Sequence, residues 1–231
     1  MEAEFSYIDE NFKRISFEVG EAKAKYRRQE DNISIMAVTK TVAPEAINHA
    51  VDLGITLLGE NRVQEYMSKK DMYSKKAEVQ FIGGLQTNKV KYIIDSVTLI
   101  QSVSSLKLAQ EIDKRAGGIG KVQDVLIEIN IGDETSKTGA DTAMLSELIH
   151  ASAELKNIKI RGLMAIPPIE NAEKHLCRMQ EIFEEYKAKG IEGVQMDILS
   201  MGMSGDYIEA IKYGSNLIRI GRGLFGPREY K

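Results

Sequence analysis

The sequence predicts an α/β fold, a single-domain TIM-type (β/α)8 barrel with one extra helix at the N-terminus. Three features lead there: a long amphipathic opening segment, eight short apolar runs rich in β-branched residues, and amphipathic segments between most of those runs. Apolar strands separated by helices imply an all-parallel sheet covered on both faces, and eight such units are enough to close it. A doubly wound open sheet is the alternative, and the strand count favours the barrel.

The opening helix is expected from about Ser6 to Gln29, where Ile8, Phe12, Ile15, Val19 and Ala22 form one stripe at three- and four-residue spacing. It is left over from the eight units and should pack outside the barrel. The first strand is Ile33–Val38, and Pro44 suits the first turn of the helix after it, with Gly54 at that helix's end. Further strands are expected at Thr56–Leu58, Val79–Ile82, Thr98–Gln101, Val122–Ile129, Ile158–Met164, Met196–Leu199 and Leu217–Ile220. Between the fifth and sixth, Asp141–Leu155 reads as a helix opened by Asp141 as N-cap. No linker or charge block divides the chain, so residues 1–231 read as one domain, with residues 1–30 as the outer helix.

Composition excludes several function classes. The chain has 231 residues, 43% apolar and 28% charged, with a net charge of −3. That balance gives no reason to expect nucleic acid or an anionic membrane surface as partner. The acidic start Met1-Glu2-Ala3-Glu4-Phe5 is unlike a secretory signal, and no apolar run approaches the ~20 residues that span a bilayer. His49, His150, His175 and Cys177 are scattered, so no metal-ligand spacing exists. A lone cysteine forms no internal disulfide and fits a reducing, cytoplasmic setting; Cys177 reads as a half-buried hydrophobe.

In a barrel, function sits at the C-terminal ends of the strands. Lys40 follows the first strand directly, and a lysine partly enclosed by apolar walls is a better nucleophile toward aldehydes because burial disfavours its ammonium form. A lysine on a solvated loop is the plainer reading. After the seventh and eighth strands come Gly202, Ser204 and Gly205, then Gly221 and Gly223. Small residues in those two loops allow close approach to a phosphate, and Ser204 is placed to cap a helix Asp206–Lys212. Ordinary tight turns would use the same glycines. Arg219 faces opposite to Ile218 and Ile220, and inward in a closed barrel, where it needs a partner: a carboxylate, or a pyridine nitrogen. Other polar clusters at strand ends are Gly59-Glu60-Asn61-Arg62, Gly83 through Lys89, and Asn130 through Gly139; Glu60 and Glu128 are the carboxylates within reach of the mouth, either able to pair Arg219.

Six stretches in order along nearly the whole chain then carry a resemblance: Ala37-Val38-Thr39-Lys40-Thr41, Gly59 through Glu65, Phe81 through Lys89, Arg161 through Pro167, Leu199 through Ser204, and Arg219-Ile220-Gly221. The sequence resembles the pyridoxal phosphate homeostasis proteins, also called the proline synthase co-transcribed family, whose barrel is similar to the N-terminal domain of alanine racemase. The resemblance implies pyridoxal 5'-phosphate held as a Schiff base on Lys40. It implies phosphate contacts from Met203, Ser204, Gly221 and Arg222, and a hydrogen bond from Arg219 to the pyridine nitrogen. Asn61, inside the matching stretch after strand two, is carried over as a further cofactor contact. Two positions depart from the pattern. Arg222 stands where the family commonly has threonine, and Val79-Gln80 where it often has Trp-His.

A racemase or decarboxylase of the alanine racemase type is the rival reading. Such enzymes use a second, strand-rich domain that brings a catalytic tyrosine to the cofactor, and no segment of this sequence has that composition. The expectation is therefore a cytoplasmic holder and deliverer of the cofactor, not an enzyme, with PLP-dependent apoenzymes as possible recipients and a monomer or weak dimer as the expected assembly.

Overall fold

The structure, a computed structural model, describes residues 4–132 and 139–227. Eight parallel strands pair in chain order and the last pairs with the first, closing a barrel. The strands are β1 Ser34–Val38, β2 Leu57–Glu60, β3 Glu78–Phe81, β4 Leu99–Val103, β5 Gln123–Ile129, β6 Ile158–Ala165, β7 Val194–Ser200 and β8 Leu217–Ile220. The eight expected strands are present, with ends shifted by at most two residues. The helices are α1 Ser6–Tyr26, α2 Pro44–Asp52, α3 Val63–Lys69, α4 Leu106–Gly117, α5 Leu145–Ala153, α6 Ala172–Lys189, α7 Tyr207–Lys212 and α8 Arg222–Phe225.

Alternation along each strand divides the core. One parity joins the helices in a large outer layer, for example Ala37, Leu58, Phe81, Ile127, Leu199, Ile218 and Ile220. The other parity fills the interior with two small clusters, one around Met36, Ile82 and Leu217, the other around Leu99, Leu126 and Met164. Side chains standing perpendicular to a pleated sheet leave no third option. The remaining inward positions are polar, among them Gln80, Gln101, Ser200 and Arg219, all buried.

Several local expectations change. The expected helix Asp141–Leu155 begins as a 3-10 turn, Thr142–Met144, before α5; Asp141 does cap it, accepting the Ala143 N–H at 2.9 Å. The third βα unit has no α-helix, only the 3-10 segment Thr87–Tyr92. α1 ends at Tyr26 and lies against α7 and α8: Asn11 donates to the Leu224 carbonyl at 3.0 Å and the Tyr207 hydroxyl donates to Glu18. The outer helix thus backs the loops after β7 and β8.

β6 carries a bulge, with register shifts against both β5 and β7 next to Gly162. At φ +146° a Cβ there would meet the Ile198 carbonyl oxygen at 1.9 Å. Gly162→Ala is expected to cost about 3 kcal/mol or more, since backbone strain and overpacking combine. Urea denaturation measures it; a cost near that of a surface substitution would contradict this account of the bulge.

Candidate functional site

β1 and β8 are hydrogen-bonded neighbours, with Met36 opposite Arg219 and Ala37 opposite Ile220. Met36 and Val38 share the inward parity on β1, and Leu217 and Arg219 share it on β8; Lys40 and Gly221 lie just past the ends of those strands and line the same cavity. A cavity of about 370 Å³ at this mouth is lined by Val38, Lys40, Asn61, Ile82, Ile166, Met203, Ser204, Gly205, Asp206, Arg219, Gly221 and Arg222, among others. All seven residues expected at a site therefore reach one cavity.

The peptides on either side of Lys40 are clamped. Lys69 Nζ donates to the Thr39 carbonyl at 3.1 Å and to Glu65 at 2.5 Å, while Glu65 accepts the Thr41 N–H at 2.5 Å. Thr41 has φ +63°, a left-handed conformation that strains a β-branched residue and persists only where neighbours enforce it. Burial raises the Glu65 carboxyl, but hydrogen bonds from Lys69 and Thr41 outweigh it and hold the group below the ordinary range. Sequence reasoning did not single out Glu65 or Lys69 at all. Their i,i+4 spacing, from the first turn of α3 to its last residue, was the available signal.

Glu60 does not pair Arg219. It follows the outward parity of Leu58, so its carboxylate is buried behind the strand, accepting the Thr39 hydroxyl at 2.6 Å and the Tyr73 hydroxyl at 2.5 Å. Burial raises its pKa against those hydrogen bonds, and one carboxyl oxygen has no partner. Glu128 does face inward and acts on Arg219 through its charge, as does Asp206.

Arg219 is 3% exposed. Its guanidinium donates to the Ser200 hydroxyl at 2.6 Å and the Ala165 carbonyl at 2.8 Å, both neutral acceptors. Burial pulls its pKa down to about 10, so it remains a cation at neutral pH. Of five N–H groups, these bonds use two; the side chain also borders the cavity.

The two small-residue loops meet through Ser204, whose hydroxyl accepts the Gly223 N–H at 3.0 Å. Ser204 is thus not the cap expected for α7. Asp206 precedes that helix instead, and its carboxylate accepts the Met203 N–H at 2.6 Å, with burial pushing its pKa up. Met203 consequently offers the cavity a wall, not a donor. Gly202 also serves the turn: a side chain there would strike Ala210, and its carbonyl accepts the Arg219 N–H. The backbone N–H groups of Ser204, Gly205, Gly221 and Arg222 have no hydrogen bond among the described residues, and all four residues line the cavity. Ser204 and Gly221 are half-buried and Gly205 and Arg222 exposed, so unengaged donors converge at the open rim of the cavity, where an anion can reach them. Asn61 adds a buried amide oxygen without a partner. Of the cluster Asn130 through Gly139, residues 133–138 lie outside the described residues.

Comparison with known proteins places this architecture. The family described as alanine racemase, N-terminal domain, matches residues 18–229. A pyridoxal phosphate homeostasis protein of Aquifex aeolicus is 41% identical over 226 residues, covering 96% of this chain and 98% of the relative. The chain belongs to the pyridoxal phosphate homeostasis protein family. Among solved structures, an unknown protein from Bifidobacterium adolescentis superposes with a TM-score of 0.92 at 28% identity, covering 97% of both chains. PipY of Synechococcus elongatus, solved with PLP bound, gives 0.77 at 27% identity, covering 92% of this chain and 100% of PipY. Among the described residues of this family member, no helix is long and apolar enough to cross a membrane, and no cluster of metal-ligating side chains occurs.

Glu60 provides a pH test. A carboxyl whose folded pKa is raised favours folding below its unfolded pKa, and that contribution is lost as pH rises through the folded value. Wild-type stability should therefore fall as pH rises from the ordinary glutamate range through the raised one. Glu60→Gln should flatten that slope. Parallel wild-type and variant profiles in urea melts between pH 4 and 8 would show that Glu60 titrates normally.

Proposed function

We propose that this chain holds pyridoxal 5'-phosphate in the β1–β8 cavity on Lys40 and releases or delivers it, without dedicated catalysis. The observation that carries the reading is the meeting of three groups in one 370 Å³ cavity: an inward lysine, a buried guanidinium, and four unengaged backbone N–H groups. This donor set suits the cofactor's three polar parts, and Val38, Ile82 and Ile166 suit its ring. When bound, the cofactor supplies an aldehyde carbon with which a lysine amine condenses reversibly.

The chain's own residues divide the work. Lys40 offers its amine from a backbone that Glu65 and Lys69 hold in place. The N–H groups of Ser204, Gly205, Gly221 and Arg222, unengaged and converging on one end of the cavity, bind a phosphate. Arg222 lacks the hydroxyl of threonine, and its guanidinium adds charge at the same end. Asn61 presents an amide that can turn either its oxygen or its N–H groups toward the ring's substituents. Arg219 only donates, so a ring nitrogen beside it stays an unprotonated acceptor. A neutral pyridine withdraws electrons weakly, which suits holding the cofactor better than using it.

Among the described residues, no tyrosine, histidine or cysteine lines the cavity, and Asp206 is occupied by the Met203 N–H. A racemase or decarboxylase needs a proton donor or acceptor opposite the lysine, in a site closed to water. Holding and releasing need neither. The homeostasis naming of the Aquifex aeolicus relative supports the same reading. Recipient PLP-dependent apoenzymes, a cytoplasmic location and a monomer or weak dimer complete it.

The purified chain charged with the cofactor is expected to be yellow and to bleach on borohydride, leaving the cofactor's mass on the peptide containing Lys40. Lys40→Ala should lose the colour while retaining some phosphate-anchored binding. Arg219→Ala should keep the colour but lose cofactor about tenfold faster, the value of one charge-assisted hydrogen bond. A colourless wild type, or an unchanged Lys40→Ala spectrum, would overturn the assignment. Exchange of an amino acid's α-proton into heavy water at an enzyme's rate would instead establish the rival.

A further inference from the structure

Barrel interiors are ordinarily filled by layers of branched apolar side chains. Here a polar chain crosses the interior. The Ser200 hydroxyl, which accepts from Arg219 at 2.6 Å, donates to Gln101 Oε1 at 2.7 Å. Gln101 Nε2 donates to Gln80 Oε1 at 2.6 Å, and Gln80 Nε2 approaches Glu78 Oε1 at 3.4 Å, at the opposite end of the strands. Thr98 also donates to that Glu78 oxygen, at 2.9 Å.

The direction of this chain is forced. Arginine has no acceptor, so Ser200 must accept from it and spend its single proton elsewhere. Among the described residues, the acceptor for that proton is Gln101, which must present its oxygen to Ser200 and therefore its amide N–H2 to Gln80. Gln80 is turned by the same logic toward Glu78. Each bond polarises the next in a low-dielectric interior, with a cation at one end and a carboxylate at the other. A core of polar groups is costly unless every member is satisfied, and this one satisfies its members in a single sense only.

We infer that Ser200 and Gln101 are positioning residues for the ligand: they lock the Arg219 guanidinium so that its remaining N–H groups face the cavity. The Ala165 carbonyl fixes one edge of the guanidinium and the Ser200–Gln101 pair fixes the other. Gln80 is the third link. This inference rests on the cofactor reading above only for its binding arm.

The test therefore has two arms. In cofactor-free protein labelled with [15N]arginine, the wild type is expected to show resolved Nη–H resonances from a guanidinium that rotates slowly, identified by their loss in Arg219→Lys. Ser200→Ala and Gln101→Met should collapse those signals, whereas Gln101→Glu, which keeps an acceptor for Ser200, should restore them. In charged protein, Ser200→Ala and Gln101→Met should release pyridoxal 5'-phosphate about tenfold faster on dilution and shift its absorbance maximum, with Gln101→Glu again closer to wild type. Wild-type resonances in either folded apolar variant would overturn the inference. Should Gln101→Met not fold, Ser200→Ala, which removes one oxygen, and Gln80→Leu decide it by the same signals. A wild type that takes up no cofactor defeats the functional reading alone, because the resonance arm still judges the relay.

Discussion

The pairing of β8 with β1 is the contact on which the site depends. It closes the barrel, and its register sets Met36 opposite Arg219. Because side chains alternate with period two, that one alignment aims Lys40, Arg219 and Gly221 into the same space. A slip of one residue on either strand would turn the lysine or the arginine into the helical layer. α1 secures the closure from outside, against the helices that follow β7 and β8.

Around this closure the molecule retains features that stability alone would not select. Thr41 is held left-handed, Glu60 is buried with an orphan oxygen, Arg219 is a buried cation, and the interior contains two glutamines and a serine. Each lies within or beside the cavity or leads to it. Glu65 and Lys69 hold the peptides around Lys40, while Ser200 and Ala165 hold the guanidinium. The lysine and arginine are thus placed from opposite sides by separate networks. An amine whose backbone is fixed, beside a donor-only partner, can retain a ligand by many weak contacts and still let it go.

The sequence made the strands and the parity of their residues readable, since short β-branched runs and period-two alternation are local properties. That is why Lys40, Arg219 and the two small-residue loops could be placed at one mouth. What it left unread is tertiary. Ser204 was expected to cap α7, yet it binds Gly223 across to the next loop. Glu60 was in reach of Arg219 by position, but its parity matches Leu58 and sends it outward. The i,i+4 spacing of Glu65 and Lys69 marks an ion pair on α3, but that the pair grips the peptides around Lys40 depends on how α3 packs beside β1, which spacing does not report. Gln80, Gln101 and Ser200 did leave a trace: polar residues on apolar strands, at the same parity as Ile82, Leu99 and Ile198.

The central claim is that a donor-only arginine, not a carboxylate, meets the cofactor ring beside Lys40. The 15N resonance of ring-labelled pyridoxal 5'-phosphate bound to the protein tests it directly. The account predicts the signal of an unprotonated, hydrogen-bonded pyridine, unchanged from mildly acidic to mildly basic pH. A pyridinium signal at neutral pH would contradict it, because it would require an acceptor where the structure places Arg219.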